Sequence, residues 1–195
     1  MKRICLLPGH AAAAEGSAVC AGAYKGWGEH RLATHYLPAL ARELERLGYE
    51  VVCTERAAAG GVSPSYSAKA ANATGADLAL EWHFNAAGAT ATGAEVLHWG
   101  ASSSGRVFAA ALGAALAAHL QVRDRGPLAV PTPDGRATEA FRQSRMPFFM
   151  VEPCFAGSNP DDAKLLCRAI AEGKWAVAAA FAVDSAVRAA YLPTT

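Results

Sequence analysis

The sequence predicts an α/β layer fold, and three observations predict it. Short apolar runs alternate with longer stretches of helical spacing. Glycine, proline and asparagine punctuate the junctions between them. The chain has 195 residues, within the range of about 100–200 expected of one domain. One domain spanning 1–195 is therefore expected, with a core large enough to need no disulfide or metal staple.

Ile4–Leu7 reads as a strand ended by Pro8-Gly9, and residues 11–28, rich in Gly and Ala, read as a loop. From Glu29 to Leu47 the leucines at 37, 40, 44 and 47 fall on one helical face, and Gly48 supplies the stop. Pro38 should kink that helix or mark a later start. Val51–Thr54 is a second strand and Ala57–Pro64 a flexible loop. Ser67–Thr74 reads as helix, Leu78–Trp82 as a buried strand, and Ala94–Trp99 as an edge or central strand. Ser103–Leu120 is an Ala-rich helix. Pro127, Pro131 and Pro133 make 126–136 a surface loop, and Phe148–Val151 is a further strand. Asn159-Pro160 followed by Asp161 and Asp162 is good helix-start chemistry, opening one or two Ala-rich helices over 161–190.

Composition excludes several classes of function. Lys and Arg number 18 against 17 Asp and Glu, so no general nucleic-acid or acidic-membrane binder is expected. Of the 52% hydrophobic residues, 47 positions are alanine, so the core must come from the larger side chains. The N-terminal apolar stretch breaks at Pro8, short of the roughly 7–15 residues of a secretory segment. No window reaches the roughly 18 apolar residues of a membrane span. Synthesis in the cytoplasm without a signal peptide, and no membrane insertion, are expected. The five cysteines are scattered and form no CxxC pair, which favours reduced thiols over a zinc knuckle.

Chemistry concentrates at the predicted strand ends. His10 follows the first strand across a Pro-Gly turn, His83 closes Leu78–Trp82, and Glu152 ends the strand begun at Phe148. Glu29 opens the first long helix. In open α/β sheets, sites gather outside the carboxyl ends of strands. Two imidazoles and a carboxylate form a set that leaves an open position on zinc, and a second carboxylate can move the proton that amide hydrolysis requires. From spacing alone, a packed or surface histidine is the commoner role for either residue.

Four segments in order carry a family resemblance: Leu6-Leu7-Pro8-Gly9-His10, Gly26-Trp27-Gly28-Glu29, Glu81-Trp82-His83-Phe84-Asn85-Ala86 and Val151-Glu152-Pro153-Cys154-Phe155. Glu43–Val52 with Thr54-Glu55-Arg56, Ala71-Asn72, Gly75–Leu78, Arg125-Gly126, Met146-Pro147 and Ser158-Asn159 extend it from Ile4 to about Phe181. The series resembles the zinc-dependent N-acetylmuramoyl-L-alanine amidases of the amidase_3 type. The resemblance implies a mixed, mostly parallel twisted sheet flanked by helices, of the phosphorylase/hydrolase-like kind. It implies one Zn2+ per chain bound by His10, Glu29 and His83, with Glu152 as the catalytic carboxylate. The substrate would be peptidoglycan, cut at the amide joining N-acetylmuramic acid to L-alanine. With no signal peptide or wall-binding module, the chain looks like a phage or prophage endolysin that reaches the cell wall after release. No apolar stripe demands a dimer, so a monomer is expected.

The chain departs from the family pattern at several positions. Leu7 stands where Asp is common, Glu81 where a small Ser usually lies, and Ser67 where an Arg is often found. Pro153 and Cys154 follow Glu152, where the family often has Gly next to the Phe. Glu81 shares a strand face with His83 and is either a partner that orients an imidazole or a polar residue at the sheet's edge. His30 and His35 are expected to be exposed, and His98 and His119 to lie at the surface or rim. Trp27, Trp82, Phe84 and Trp99 either shape a groove or pack the core. Cys154 could line the cleft, but a thiolate nucleophile there would need a base and a depressed pKa. Two competing readings are a zinc carboxypeptidase or endopeptidase acting on the stem peptide, with Arg142 or Arg145 holding a carboxylate, and a non-catalytic peptidoglycan-binding module.

Overall fold

The computed structural model describes residues 3–132, 135 and 137–192. Six strands build one sheet: β1 (Arg3–Pro8), β2 (Glu50–Cys53), β3 (Leu78–Trp82), β4 (Ala94–Trp99), β5 (Asp124–Val130) and β6 (Phe148–Glu152). Their order is β2-β1-β3-β6-β4-β5, and every neighbouring pair is parallel except β4 with β6. The sheet is therefore mixed and mostly parallel. Among the described residues no helix is long and apolar enough to cross a membrane.

Side chains alternate between the two faces of a strand, and both faces here are covered. Ile4, Leu6, Leu78, Leu80 and Trp82 point to the side packed by α1 (Glu29–Arg46), α3 (Ser103–Leu120), α5 (Pro160–Ala171) and α6 (Lys174–Tyr191). Cys5, Leu7, Ala79, Phe148 and Met150 point to the other side, under α2 (Pro64–Thr74) and α4 (Thr138–Gln143). Leu32, Ala33, Tyr36, Leu37, Leu40 and Leu44 form the buried face of α1. Trp175 of α6 seats its ring edge-on against Trp82 and Tyr36, both at 6.0 Å. That cluster ties α6 and α1 to β3, the strand that ends just before His83.

Several expectations are corrected. The helix α1 runs through Pro38 from Glu29 without a later start; Pro38 is exposed and forfeits only its own amide donor, while the buried face continues on both sides. The proline-rich 126–136 segment is a strand over its first part, up to Val130 at the end of β5. β5 pairs only with β4, and a proline on an edge strand can turn its missing donor to solvent. Residues 133, 134 and 136 of that predicted loop lie outside the described residues. The predicted flexible loop at 57–64 instead begins with a 3-10 turn, Arg56–Ala59, and Pro64 opens α2 at its first position. The alternative left open for β4 resolves as central, and α5 and α6 are separate helices parted by Gly173 at φ 70°.

Candidate metal centre

Strand register assembles the site. Pro8 pairs with Trp82 and Trp82 with Val151, so β1, β3 and β6 end side by side. Two further backbone bonds extend this pairing: the Gly9 amide donates to Trp82 O at 2.7 Å, and the His83 amide to Val151 O at 2.9 Å. His10, His83 and Glu152 consequently emerge from adjacent strand ends. His10 itself sits at φ 60°, the sparsely populated left-handed region, which a non-glycine residue adopts only where its surroundings enforce it.

Glu29 arrives from the other direction, at the start of α1. The helix has no side-chain cap; instead Ser17 O and Glu15 O accept the amides of Glu29 and His30 at 3.1 and 3.2 Å. The 11–28 loop is thereby fixed to the helix start. The Glu29 carboxylate is buried and divided between two neighbours. Oε1 accepts from the Ser17 amide at 3.0 Å and lies 3.3 Å from His10 Nε2. Oε2 meets His83 Nδ1 at 2.9 Å and the Phe84 amide at 3.3 Å.

One nitrogen or oxygen from each of His10, Glu29 and His83 lies within 4.8 Å of the others. The donor set, two imidazoles and a carboxylate, suits zinc and leaves a coordination position open. Burial opposes ionisation of Glu29, yet hydrogen bonds to His10 and His83 outweigh it and hold the carboxyl near 2. Burial likewise opposes a charged His83, but its hydrogen bond to Glu29 and the nearby Glu81 carboxylate push it up to about 10. The two shifts are reciprocal: the imidazoles of His10 and His83 favour the charged carboxylate, and the carboxylates around His83 favour the charged imidazole. Glycine keeps this packing open, since a Cβ on Gly16 (φ 79°) would sit 2.5 Å from the His10 ring, and one on Gly9 would overlap the His83 ring.

These three residues share a cavity of about 250 Å³ with Glu152, Asn85 and Arg56. Glu152 is buried at the end of β6, opposite Glu95 of β4 in the antiparallel register. Glu95 accepts from Arg125 Nε at 2.6 Å and from Asn85 Nδ2 at 2.8 Å. Asp162 at the start of α5 braces the loops beyond β3 and β6, accepting from Thr92 Oγ1 at 2.6 Å, Gly93 N at 3.2 Å and Phe155 N at 2.9 Å.

The family model of the N-acetylmuramoyl-L-alanine amidases, Amidase_3, matches residues 4–185. The chain belongs to this family. Its fold is also that of solved amidase structures. It superposes on an N-acetylmuramoyl-L-alanine amidase from Clostridium difficile 630 with a TM-score of 0.73 at 23% identity, covering 95% of this chain and 94% of that one. The catalytic domain of CwlV, an amidase from Bacillus (Paenibacillus) polymyxa var. colistinus, gives 0.67 at 20% identity, with 96% and 97% covered. The catalytic domain of an endolysin targeting Clostridia difficile gives 0.66 at 20% identity, with 90% and 97% covered. Among curated proteins, none matches the chain.

Other expected positions are placed as follows. Glu81 is fully buried in β3, between β1 and β6, so the reading as a polar residue at the sheet's edge is wrong. His30 is buried, not exposed, and meets Glu55 Oε2 at 2.9 Å through Nε2. His98 is also buried, its Nδ1 donating to Trp99 O at 3.0 Å, because β4 is covered on both faces. His35 and His119 are exposed, as expected. Trp82 and Phe84 pack in the core, Trp27 is half-buried and Trp99 is partly exposed. Cys154 is fully buried, and burial drives its thiol well above the ordinary range, which removes it as a nucleophile. Arg142 lines a different cavity with Trp99 and Phe148, and Arg145 is exposed. Arg56 lines the same cavity as His10, Glu29 and His83 but is not among the site residues that the sequence marks. Its signal was Glu81 itself, since a carboxylate inside an apolar strand requires a buried cation.

Proposed function

We propose that this amidase-family chain is a single-domain, zinc-dependent hydrolase of the amide between N-acetylmuramic acid and L-alanine in peptidoglycan. The observation that carries the reading is the convergence of His10, Glu29 and His83 beside Glu152 in one cavity. His10, Glu29 and His83 would hold one zinc ion. When bound, zinc supplies Lewis acidity, which polarises an amide carbonyl and acidifies water.

The remaining work falls to the chain. Glu152 accepts a proton from the attacking water and delivers it to the departing amine of L-alanine, a transfer worth about 10²–10⁴ in rate. Its neighbour Glu95 does not compete for that role, because Arg125 holds it by a charge-assisted bond. Arg142 and Arg145, the cations that a carboxypeptidase reading would use, do not line this cavity.

The test is metal content of the purified protein, with digestion of peptidoglycan before and after chelation. About one zinc per chain is expected, with activity lost on chelation and restored by zinc. The digest should contain new L-alanine amino termini on unbroken glycan. Release of a terminal amino acid instead would point to a carboxypeptidase. A folded, zinc-supplied protein that digests nothing would be a binding module.

A further inference from the structure

Glu81 has no exposed surface and lies in β3 two residues before His83. A buried carboxylate persists only where its oxygens are engaged. Oε1 is heavily engaged: it accepts from Arg56 Nε at 3.0 Å, Arg56 Nη2 at 2.8 Å and Ser67 Oγ at 2.5 Å. Arg56 is held in turn by Val62 O, which accepts from Nη1 at 3.0 Å. The second oxygen, Oε2, is turned the other way and faces Nε2 of His83 at 3.5 Å. Both of these atoms are buried and make no hydrogen bond among the described residues, so each is left facing the other.

The two nitrogens of His83 therefore look at two different carboxylates. Nδ1 faces Glu29, on the side where the three candidate ligands converge, and Nε2 faces Glu81. An imidazole that ligates a metal through one nitrogen carries its proton on the other, and the group accepting that proton sets tautomer and ring orientation. We propose that Glu81 is a positioning residue of the metal centre: its Oε2 accepts Nε2–H of His83 and leaves the Nδ1 lone pair for the metal. Arg56 and Ser67 clamp the opposite oxygen so that the carboxylate cannot turn away. The arrangement draws its parts from three elements, β3, the 3-10 turn after β2, and α2. It also accounts for the joint presence of Glu81 and Ser67, which meet directly across the sheet–helix interface.

This inference rests on the zinc reading of His10, Glu29 and His83, and the test separates the two. Zinc affinity of the folded apo-protein is measured by competition with a chromophoric chelator for wild type, Glu81→Gln and the neutral pair Arg56→Gln/Glu81→Gln. The double variant replaces the ion pair with two amides and guards against misfolding from an unpaired buried arginine. Both variants should bind zinc roughly 10–100-fold more weakly than wild type. In nitrogen-15 NMR of the zinc-loaded proteins, His83 should carry its proton on Nε2, with a downfield resonance in wild type that moves upfield in the variants. A purely structural Glu81 would lower the melting temperature but leave zinc affinity and that resonance unchanged. Such a result, with wild type binding zinc, overturns the role of Glu81 alone. Failure of the wild type to bind zinc overturns the site reading and this inference together.

Discussion

His83 Nδ1 lies 2.9 Å from Glu29 Oε2, a contact between a strand end and a helix start 54 positions apart in the chain. The same carboxylate reaches His10 through its other oxygen at 3.3 Å. Glu29 is thus the hinge of the proposed ligand set, and Glu29→Gln keeps its shape while removing its charge. Zinc affinity should fall by more than roughly 100-fold, beyond the loss that an outer partner would cause. Chelator competition checks this, with stoichiometry after dialysis as a second reading. Tight zinc binding by the variant would remove Glu29 from the ligand set.

In the proposed mechanism Glu152 handles the proton and does not hold the metal. Glu152→Gln should therefore lower kcat by about 10²–10⁴, the usual value of a positioned general base. Zinc stoichiometry should stay near one, because no ligand is touched. Release of L-alanine amino termini over time gives the rate, and metal analysis of the same sample gives the stoichiometry. Near-wild-type turnover would show that another group carries the proton.

The legible parts of the fold are those set by local pattern. β1, β3 and β6 are legible as apolar runs, and the ends of those runs mark His10, His83 and Glu152. β5 was obscured by Pro127, which reads as a loop signal unless the strand is known to lie at the sheet's edge. The burial of His30 was present as spacing, since it precedes Ala33 and Leu37 of the buried α1 face by three and seven residues. Arg56 could not be located by pattern, because its partner Glu81 lies 25 positions away and meets it only through the β2–β1–β3 order.

Gly16 gives the sequence's small-residue loop a specific reason. Its φ of 79° disfavours any side chain, and a Cβ would press on the His10 ring. Gly16→Ala should cost about 1–2 kcal/mol from the left-handed backbone alone. It should also weaken zinc binding by displacing His10, whereas Gly26→Ala, strained alike at φ 85° but with open space around it, should affect stability only. Thermal melts and chelator titration of the two variants separate the effects. Equal zinc affinity in both would mean that the His10 ring accommodates the methyl.

Trp175 carries much of the packing behind β3. It is fully buried and sets its ring nearly perpendicular to Trp82 and Tyr36, at 88° and 90°. Trp175→Ala should destabilise the fold by about 3–5 kcal/mol, the usual range for deleting a large buried aromatic. Urea denaturation followed by circular dichroism measures this. A change below about 1 kcal/mol would mean that α6 repacks freely, against the close packing expected of such a core.

The thiols supply a control for the metal assignment. Cys5, Cys154 and Cys167 are buried, Cys20 is half-buried and Cys53 is exposed. Burial pushes Cys5 up to about 12 and Cys154 well above its ordinary range, so neither forms thiolate at neutral pH. A chromogenic disulfide reagent should therefore modify Cys20 and Cys53 in the native protein, and all five cysteines only after unfolding. Because the proposed ligands are nitrogen and oxygen, native labelling should leave zinc bound and peptidoglycan cleavage intact. Zinc release in step with modification would instead place sulfur in the metal's coordination shell, and the His10, Glu29 and His83 set would have to be abandoned.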